Sequence, residues 1–364
     1  MKFYLLLIVF LMMNYSISIA QEKPLRIGVV GLTHTHVHWI LGREDRGDIE
    51  IVGIVEPNRE LARRYSDQHG FSMDIVFDTM DEMFDATAPE AVTAFGTIYE
   101  HLEVVQKSAP RGIHVMVEKP LAISLDHAKQ MKALAETHGI QLLTNYETTW
   151  YPSNHRVKEL VDAGEIGFLR KIVAHDGHKG PAEIGINSEF LNWLIDPAQS
   201  GAGALTDFGC YGANLITWLK EGQRPISVFA LTQTFKPKLY PEVDDEATIL
   251  LEYPDSQGII QASWNWPIAR KDIEVYGKTG YAHADDATNI RFRPNEDSIE
   301  IDIVEDGLTK PYDDPFSYLA GVIRGQIIAK KMDLSSLENN MIVMEILDAA
   351  MESARTSQRV YLNE

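Results

Sequence analysis

One cysteine in 364 residues, Cys210, leaves no partner for an internal disulfide and no thiolate set for a Cys-rich zinc site. Cationic side chains are also scarce: 33 Lys and Arg stand against 53 Asp and Glu, a formal charge of −20. So acidic a surface repels phosphate backbones and anionic lipid, which argues against nucleic acid or a membrane surface as the main partner. The 25 Gly and 16 Pro form no enriched tract, so collagen-like and low-complexity readings fail. No apolar run is long enough to cross ~30 Å of hydrocarbon. What is present is 45% hydrophobic and 24% charged, an ordinary globular balance with room for two domains.

The longest apolar run stands at the start. After Met1 and Lys2, residues 3–13 are almost wholly apolar, and Ser18-Ile19-Ala20 puts small residues at both specificity positions of a signal-peptidase site. Residues 1–20 therefore read as an export signal, with a mature chain starting near Gln21. There is no twin arginine and no cysteine near the cleavage site to carry a lipid. The expected route is general secretory export to a periplasmic or secreted location, without membrane insertion once the signal is removed.

From Leu25 short apolar runs alternate with helical stretches. Strands are expected at 25–30, 49–55, 91–95, 114–117 and 141–144, with helices near 37–43, 59–69, 102–109 and 124–138. That alternation means right-handed βαβ units and a doubly wound parallel sheet. Beyond Tyr146 the pattern changes. Helical segments near 155–163 and 204–219 flank a strand at 169–174, and runs at 227–233, 247–253, 258–264, 272–276 and 299–304 follow with short turns. Consecutive strands without intervening helices predict a mainly antiparallel sheet. Helices at 316–330 and 341–357 close the chain. The fold class is thus α/β: a nucleotide-binding Rossmann domain over 24–147, then an α+β substrate domain over 148–364, with a cleft between them.

The first strand runs into Gly28-Val29-Val30-Gly31-Leu32-Thr33-His34-Thr35-His36 and then an apolar helix. Strand, tight turn and helix start are where free backbone N–H groups hold a pyrophosphate. The glycine pattern departs from G-x-G-x-x-G, because Thr33 and His36 replace the second and third glycines. Glu56 ends the second strand near the spacing expected for the acid that accepts from ribose hydroxyls. A carboxylate there repels a 2′-phosphate, so NAD is favoured, while Arg59 nearby keeps NADP in play. His34, His36 and His38 invite a metal reading, but they fall on a turn entering a helix with no carboxylate or cysteine close in sequence. Loop and packing roles are expected for them, and no metal.

At Glu118-Lys119-Pro120, directly after the strand at 114–117, the sequence resembles the Gfo/Idh/MocA oxidoreductases. The resemblance extends to His101 ahead of that strand, to Gly201–Asn214, and to Ser336-Leu337-Glu338-Asn339 entering the last helix. It implies cofactor contacts at Gly31, Leu32, Thr33, His34, Glu56, His101, Glu118 and Lys119. It also implies a proton-handling role for Lys119, which stands at the sheet edge where ligands bind in such folds. Burial beside a cationic nicotinamide disfavours an ammonium, so Lys119 is expected to exchange a proton with a substrate hydroxyl. Pro120 permits a cis peptide. Many family members carry Asp-x-Gly-x-His-x-x-Asp in the second motif; here Tyr211 and Asn214 replace the histidine and the last aspartate. That variant looks like the glucose-fructose oxidoreductase and dihydrodiol dehydrogenase branch. Asp207 and Tyr211, four apart, are expected on one helix face, with Asp207 orienting Lys119 or binding a sugar hydroxyl and Tyr211 donating to the reacting oxygen.

Substrate contacts are expected from His178, Lys179, Trp193 and Tyr211, and Trp150, Trp264 and Trp266 are candidates to stack on a sugar ring. The expectation is an NAD(P)-dependent oxidoreductase of a small carbohydrate, acting as a homo-oligomer. Two alternatives share the fold: a glycosidase using transient oxidation and elimination, and a non-catalytic sugar or nucleotide sensor.

Overall fold

The computed structural model describes residues 23–362; the export-signal reading of residues 1–20 lies outside them. Strands β1 (Leu25–Val30), β2 (Ile49–Val55), β3 (Val76–Phe77), β4 (Ala91–Ala94), β5 (His114–Glu118) and β6 (Leu142–Asn145) form one sheet. Their order is β3-β2-β1-β4-β5-β6 and every pair is parallel. Chain order reverses between β1 and β4, which opens a crevice at the carboxyl edge. The short β3 and the helix Met80–Thr87 extend this half beyond the five expected strands. That helix starts on a capping box, in which Thr79 and Glu82 satisfy each other's backbone donors.

The remaining strands are β7 (Leu169–Gly177), β8 (Ser227–Gln233), β9 (Glu246–Glu252), β10 (Gln257–Ser263), β11 (Arg270–Gly277), β12 (Tyr281–Ala284), β13 (Asn289–Arg293), β14 (Ile301–Val304) and β15 (Val360–Tyr361). They form a nine-stranded sheet in the order β14-β13-β12-β11-β7-β10-β9-β8-β15. Only β7 and β10 run parallel, because three short helices and the 204–219 segment intervene between β7 and β8 and carry the chain across. One face of this sheet is covered by the helices Gly209–Leu219 and Leu337–Thr356, whose apolar side chains join a core that continues into the first sheet. The other face of the first sheet is closed by Phe316, Tyr318 and Leu319 of the helix Pro315–Ile323. Arg43 fastens that helix, bonding Asp48 of the first half and Asp314 at the helix N-cap. The helix stops at Arg324, short of the expected 330, where Gly325 takes a left-handed conformation.

The expected helix 204–219 is broken. Ala204–Asp207 and Gly209–Leu219 are separated by Phe208, and the Tyr211 amide bonds back only three residues to the Phe208 carbonyl (3.2 Å). The entry to the first piece is fixed by Asp244, whose carboxylate accepts from the amides of Gly203 (2.9 Å) and Leu205 (2.7 Å). A side chain at Gly203 would lie 1.7 Å from the Asp244 carbonyl oxygen, so only glycine fits there. The break frees the Asp207 carbonyl, and the site uses it.

Candidate active site

At the carboxyl edge of the first sheet the chain turns sharply after β1. Gly31 sits at φ +76°, and a Cβ there would fall 2.6 Å from the Gly96 nitrogen of the β4 loop, so the turn requires glycine on both counts. The Leu32 amide donates to Glu56 Oε2 (3.0 Å) and the Asn58 amide to Oε1 (2.8 Å). Glu56 is 4% exposed; burial pushes its carboxyl up, and the two amides oppose that. Each carboxylate oxygen keeps a second lone pair for a ribose hydroxyl. Arg59 is turned away, bonded to the Val76 carbonyl and Asp78, an arrangement that leaves the acid unneutralised. Among the described residues the amides of Thr33 and Thr35 make no hydrogen bond, so the loop keeps donors for a pyrophosphate. The residues present therefore fit a dinucleotide carrying a free 2′-hydroxyl.

The side chains of this loop are engaged. Thr33 Oγ1 accepts from the Trp193 indole (3.0 Å), and Phe190 packs its ring 4.4 Å from that of His34. Arg64–Glu189 (2.8 Å) and Asn187–Tyr65 (2.9 Å) add further ties. The segment around the helix Ser188–Leu194 thus lies across the dinucleotide loop. Trp193, expected as a substrate contact, is a loop contact instead.

Lys119 follows β5 and its bond to Pro120 is cis. Its ammonium donates to Asp207 Oδ1 and to the freed Asp207 carbonyl (2.9 Å). The Trp264 indole donates to the other carboxylate oxygen (3.0 Å), so Trp264 orients the acid rather than a sugar. Lys119 and Asp207 are 6% and 7% exposed. Burial alone lowers the lysine, but the charge of Asp207 outweighs it and holds the ammonium well above its ordinary value. Asp207 is correspondingly lowered against its own burial. Asp207 thus opposes the burial that disfavours the Lys119 ammonium.

Lys119, Asp207 and Tyr211 line a cavity of about 190 Å³. His34, His36 and His178 share it, and Ile184, Ile186, Phe190 and Leu194 form an apolar wall. Burial pushes the Tyr211 phenol well up, so it is a donor. Its ring lies beneath two ammonium groups, Lys119 at 5.1 Å and Lys271 at 4.6 Å. Lys271 on β11 is paired with Glu147, which also accepts from the Tyr151 hydroxyl (2.5 Å). Neither member of that pair carries a sequence signal: Lys271 is one polar residue of an alternating strand, and Glu147 opens the short turn Glu147–Trp150 after β6.

Other expected residues stand further off. Lys179 is exposed and outside the cavity lining. His101 is buried beneath the Lys119–Leu121 turn, its Nδ1 bonded to the Leu121 carbonyl (3.1 Å), and burial lowers it to about 4. It supports the lysine turn and does not line the cavity. Trp150 donates to Asn145 Oδ1 (3.0 Å), and the Asn145 amide in turn donates to Glu118 (2.7 Å). Trp266 packs beneath Arg270 (5.3 Å).

A reversed strand order, a glycine turn facing an acid at the end of β2, and a lysine–aspartate pair beyond β5 define a nicotinamide-dinucleotide oxidoreductase fold. The chain belongs to the GFO/IDH/MocA family. Residues 13–146 match its oxidoreductase family, NAD-binding Rossmann fold model, and residues 154–283 match the GFO/IDH/MocA C-terminal domain. The first half is accordingly an NAD-binding domain. Trans-1,2-dihydrobenzene-1,2-diol dehydrogenase of Macaca fuscata fuscata is 26% identical over 63% of this chain, which spans 65% of that relative's length. A D-xylose 1-dehydrogenase (NADP(+)) of Haloarcula marismortui is 23% identical over 65% of each protein. An inositol dehydrogenase homolog complexed with NAD+ from Azotobacter vinelandii shares the fold, with a TM-score of 0.81 at 16% identity over 93% of this chain and 98% of that one.

Proposed function

We propose that the protein transfers a hydride between a hydroxyl-bearing carbon of a sugar or sugar derivative and the nicotinamide of NAD. The observation that carries this reading is the buried Lys119–Asp207 pair lining a cavity beside the dinucleotide loop. When bound, the dinucleotide supplies the hydride acceptor or donor. The chain supplies position and charge. Lys119, helped by the Tyr211 hydroxyl, handles the proton of the substrate oxygen, where negative charge grows as the O–H bond is broken in oxidation or as hydride reaches the carbonyl carbon in reduction. His178 accepts the Gly180 amide at Nδ1 (2.9 Å), so its neutral ring carries the proton at Nε2 and offers a third donor to a polyol.

The relatives named for a diol and a pentose support a small polyhydroxylated substrate, and Glu56 with Arg59 turned away supports NAD over NADP. The leader at residues 1–20 supports an exported protein. Phe229 and Leu250, paired across β8 and β9 and exposed on the uncovered sheet face, support a homo-oligomer. The test is mass spectrometry of the nucleotide co-purifying with the protein, followed by a panel of aldoses, polyols and glycosides. Net NADH formation from a sugar is expected. Release of an aglycone without net NADH would assign the glycosidase reaction instead, and no change in any substrate would overturn catalysis.

A further inference from the structure

A cavity of about 540 Å³ opens between the helix Pro152–Asp162, the end of the helix Gly209–Leu219 and the loop that follows the helix Pro315–Ile323. It shares no lining residue with the cavity at Lys119, which measures about 190 Å³, and hydride transfer gives it no task. Its size falls within the ~300–1,000 Å³ of small-molecule sites. On the helix Pro152–Asp162, His155, Lys158, Glu159 and Asp162 recur at spacings of three and four and so share one face. That face lines the cavity, while Val157 and Leu160 turn into the core.

The lining selects among ligands. Two cations, Lys158 and Lys330, stand among four carboxylates, Glu159, Asp162, Glu221 and Asp333. Lys158 is already paired with Asp162 and lies 3.6 Å from Glu221. A phosphate or carboxylate ligand therefore meets an excess of negative charge. The Lys158 ammonium also sits 5.9 Å over the Trp218 ring, so the cation position on that indole is taken.

What stays available is aromatic and uncharged. Trp150 meets Tyr318 edge to face at 5.6 Å, and Tyr312 extends the row at 5.9 Å. Thr149 and Ser335 also line the cavity, 7% and 1% exposed, and their hydroxyls have no hydrogen-bond partner among the described residues. Asp333 Oδ2 accepts from the Lys330 amide (2.8 Å) and the Tyr318 hydroxyl (3.5 Å), whereas Oδ1 accepts from no group among the described residues. Buried hydroxyls left unpaired cost stability unless a bound molecule supplies the partner.

We propose that this cavity binds a neutral carbohydrate, a pyranoside held apart from the reacting centre. A pyranose ring offers an apolar C–H face to the aromatic row. Its hydroxyls both donate and accept, which suits one acceptor-only carboxylate oxygen and two unpaired hydroxyls. Trp150, a candidate to stack on a sugar, does so here and not beside Lys119. The assignment stands whether or not the cavity at Lys119 oxidises a sugar.

The six tryptophans report on the two cavities separately. Trp150 and Trp218 line this one, while Trp193 and Trp264 bond Thr33 and Asp207 at the other. Indole ¹H–¹⁵N spectra of the full chain are followed during titration with the methyl β-D-pyranosides of glucose, galactose and xylose, and separately with choline and inorganic phosphate. At least one glycoside should move Trp150 and Trp218 along a saturable curve. Tyr312→Ala, a change at a half-exposed side chain, should weaken that binding roughly three- to tenfold. Ser335→Ala should weaken it too, yet leave the empty protein at least as stable, because it deletes a hydroxyl without a partner. Neither variant should alter shifts at Trp193 and Trp264. The proposal is overturned if no glycoside moves Trp150 and Trp218, or if both variants bind as tightly as the wild type. It is equally overturned if only choline or phosphate moves those two indoles. Any of these results leaves the hydride-transfer reading intact, since Trp193 and Trp264 report that site.

Discussion

Removing Lys119 should disturb two things at once, and the structure separates them. Lys119 and Asp207 are both nearly inaccessible and are each other's counter-charge. Lys119→Ala leaves a carboxylate buried with only the Trp264 indole as a side-chain donor. Breaking a buried pair by deleting one partner costs about 3–5 kcal/mol, a large part of a domain's typical ~5–15 kcal/mol. Turnover should fall roughly 10²–10⁴-fold, the usual consequence of deleting a positioned donor at the reacting atom. The stability loss has a pH signature. In the wild type the Asp207 carboxyl is depressed by Lys119, so its contribution is present above the unfolded value and lost as pH falls. Without the lysine, burial raises that carboxyl above its unfolded value of about 3.9. The variant's deficit should then be largest at neutral pH and shrink on acidification. Lys119→Ala/Asp207→Asn, lacking the charge, should recover part of the stability at neutral pH and none of the turnover. Urea unfolding across pH, beside NAD titration and NADH formation, reads all of these. A deficit below about 1 kcal/mol, or one that does not change with pH, would refute the claim that each charge depends on the other.

Glu56→Ala should weaken NAD binding more than NADP binding, since it removes an acceptor for the 2′-hydroxyl and a charge that repels a 2′-phosphate; parallel titrations with both nucleotides check this, and an unchanged ratio would free Glu56 of that role. Trp193→Phe keeps the packing but deletes the bond to Thr33, worth about 1 kcal/mol, so NAD should dissociate roughly fivefold faster in stopped-flow release. An unaltered rate would mean that the 187–199 segment does not limit cofactor exit.

The first half was legible because its grammar is local. Apolar runs of four to seven residues end at turn residues, and a buried parallel strand needs nothing more to be recognised. The short β3 was hidden, since two residues carry no periodicity. In the second half the regular strands at 227–233 and 247–253 stand nearly as expected, while β12 and β13 were missed. Their side chains are mixed, and what fixes them is pairing with β11 and with each other. The mostly apolar composition of 204–219 predicts one continuous helix. Its interruption at Phe208 is caused by contacts from Asp244 and Lys119, both remote in sequence.

The active site follows the same division. Lys119 and Asp207 could be paired in advance because their motifs mark them, but the state of the pair could not. Burial disfavours an ammonium, and the opposing charge of Asp207 depends on a distance that only the folded chain sets. The dinucleotide loop shows the converse. Thr33 and His36 look like defects when the loop is compared with a glycine pattern. In the folded chain each has a partner supplied from far away, Trp193 for Thr33 and Glu118 for His36, and Glu118 is itself tied through Asn145 to Trp150. A glycine at either position would leave a hydrogen-bonding group without its partner. The two substitutions bind the loop to the segment that covers it and to the strand end that carries Lys119. The departures from the motif therefore connect the cofactor loop to the reacting centre, which a glycine loop cannot do through side chains.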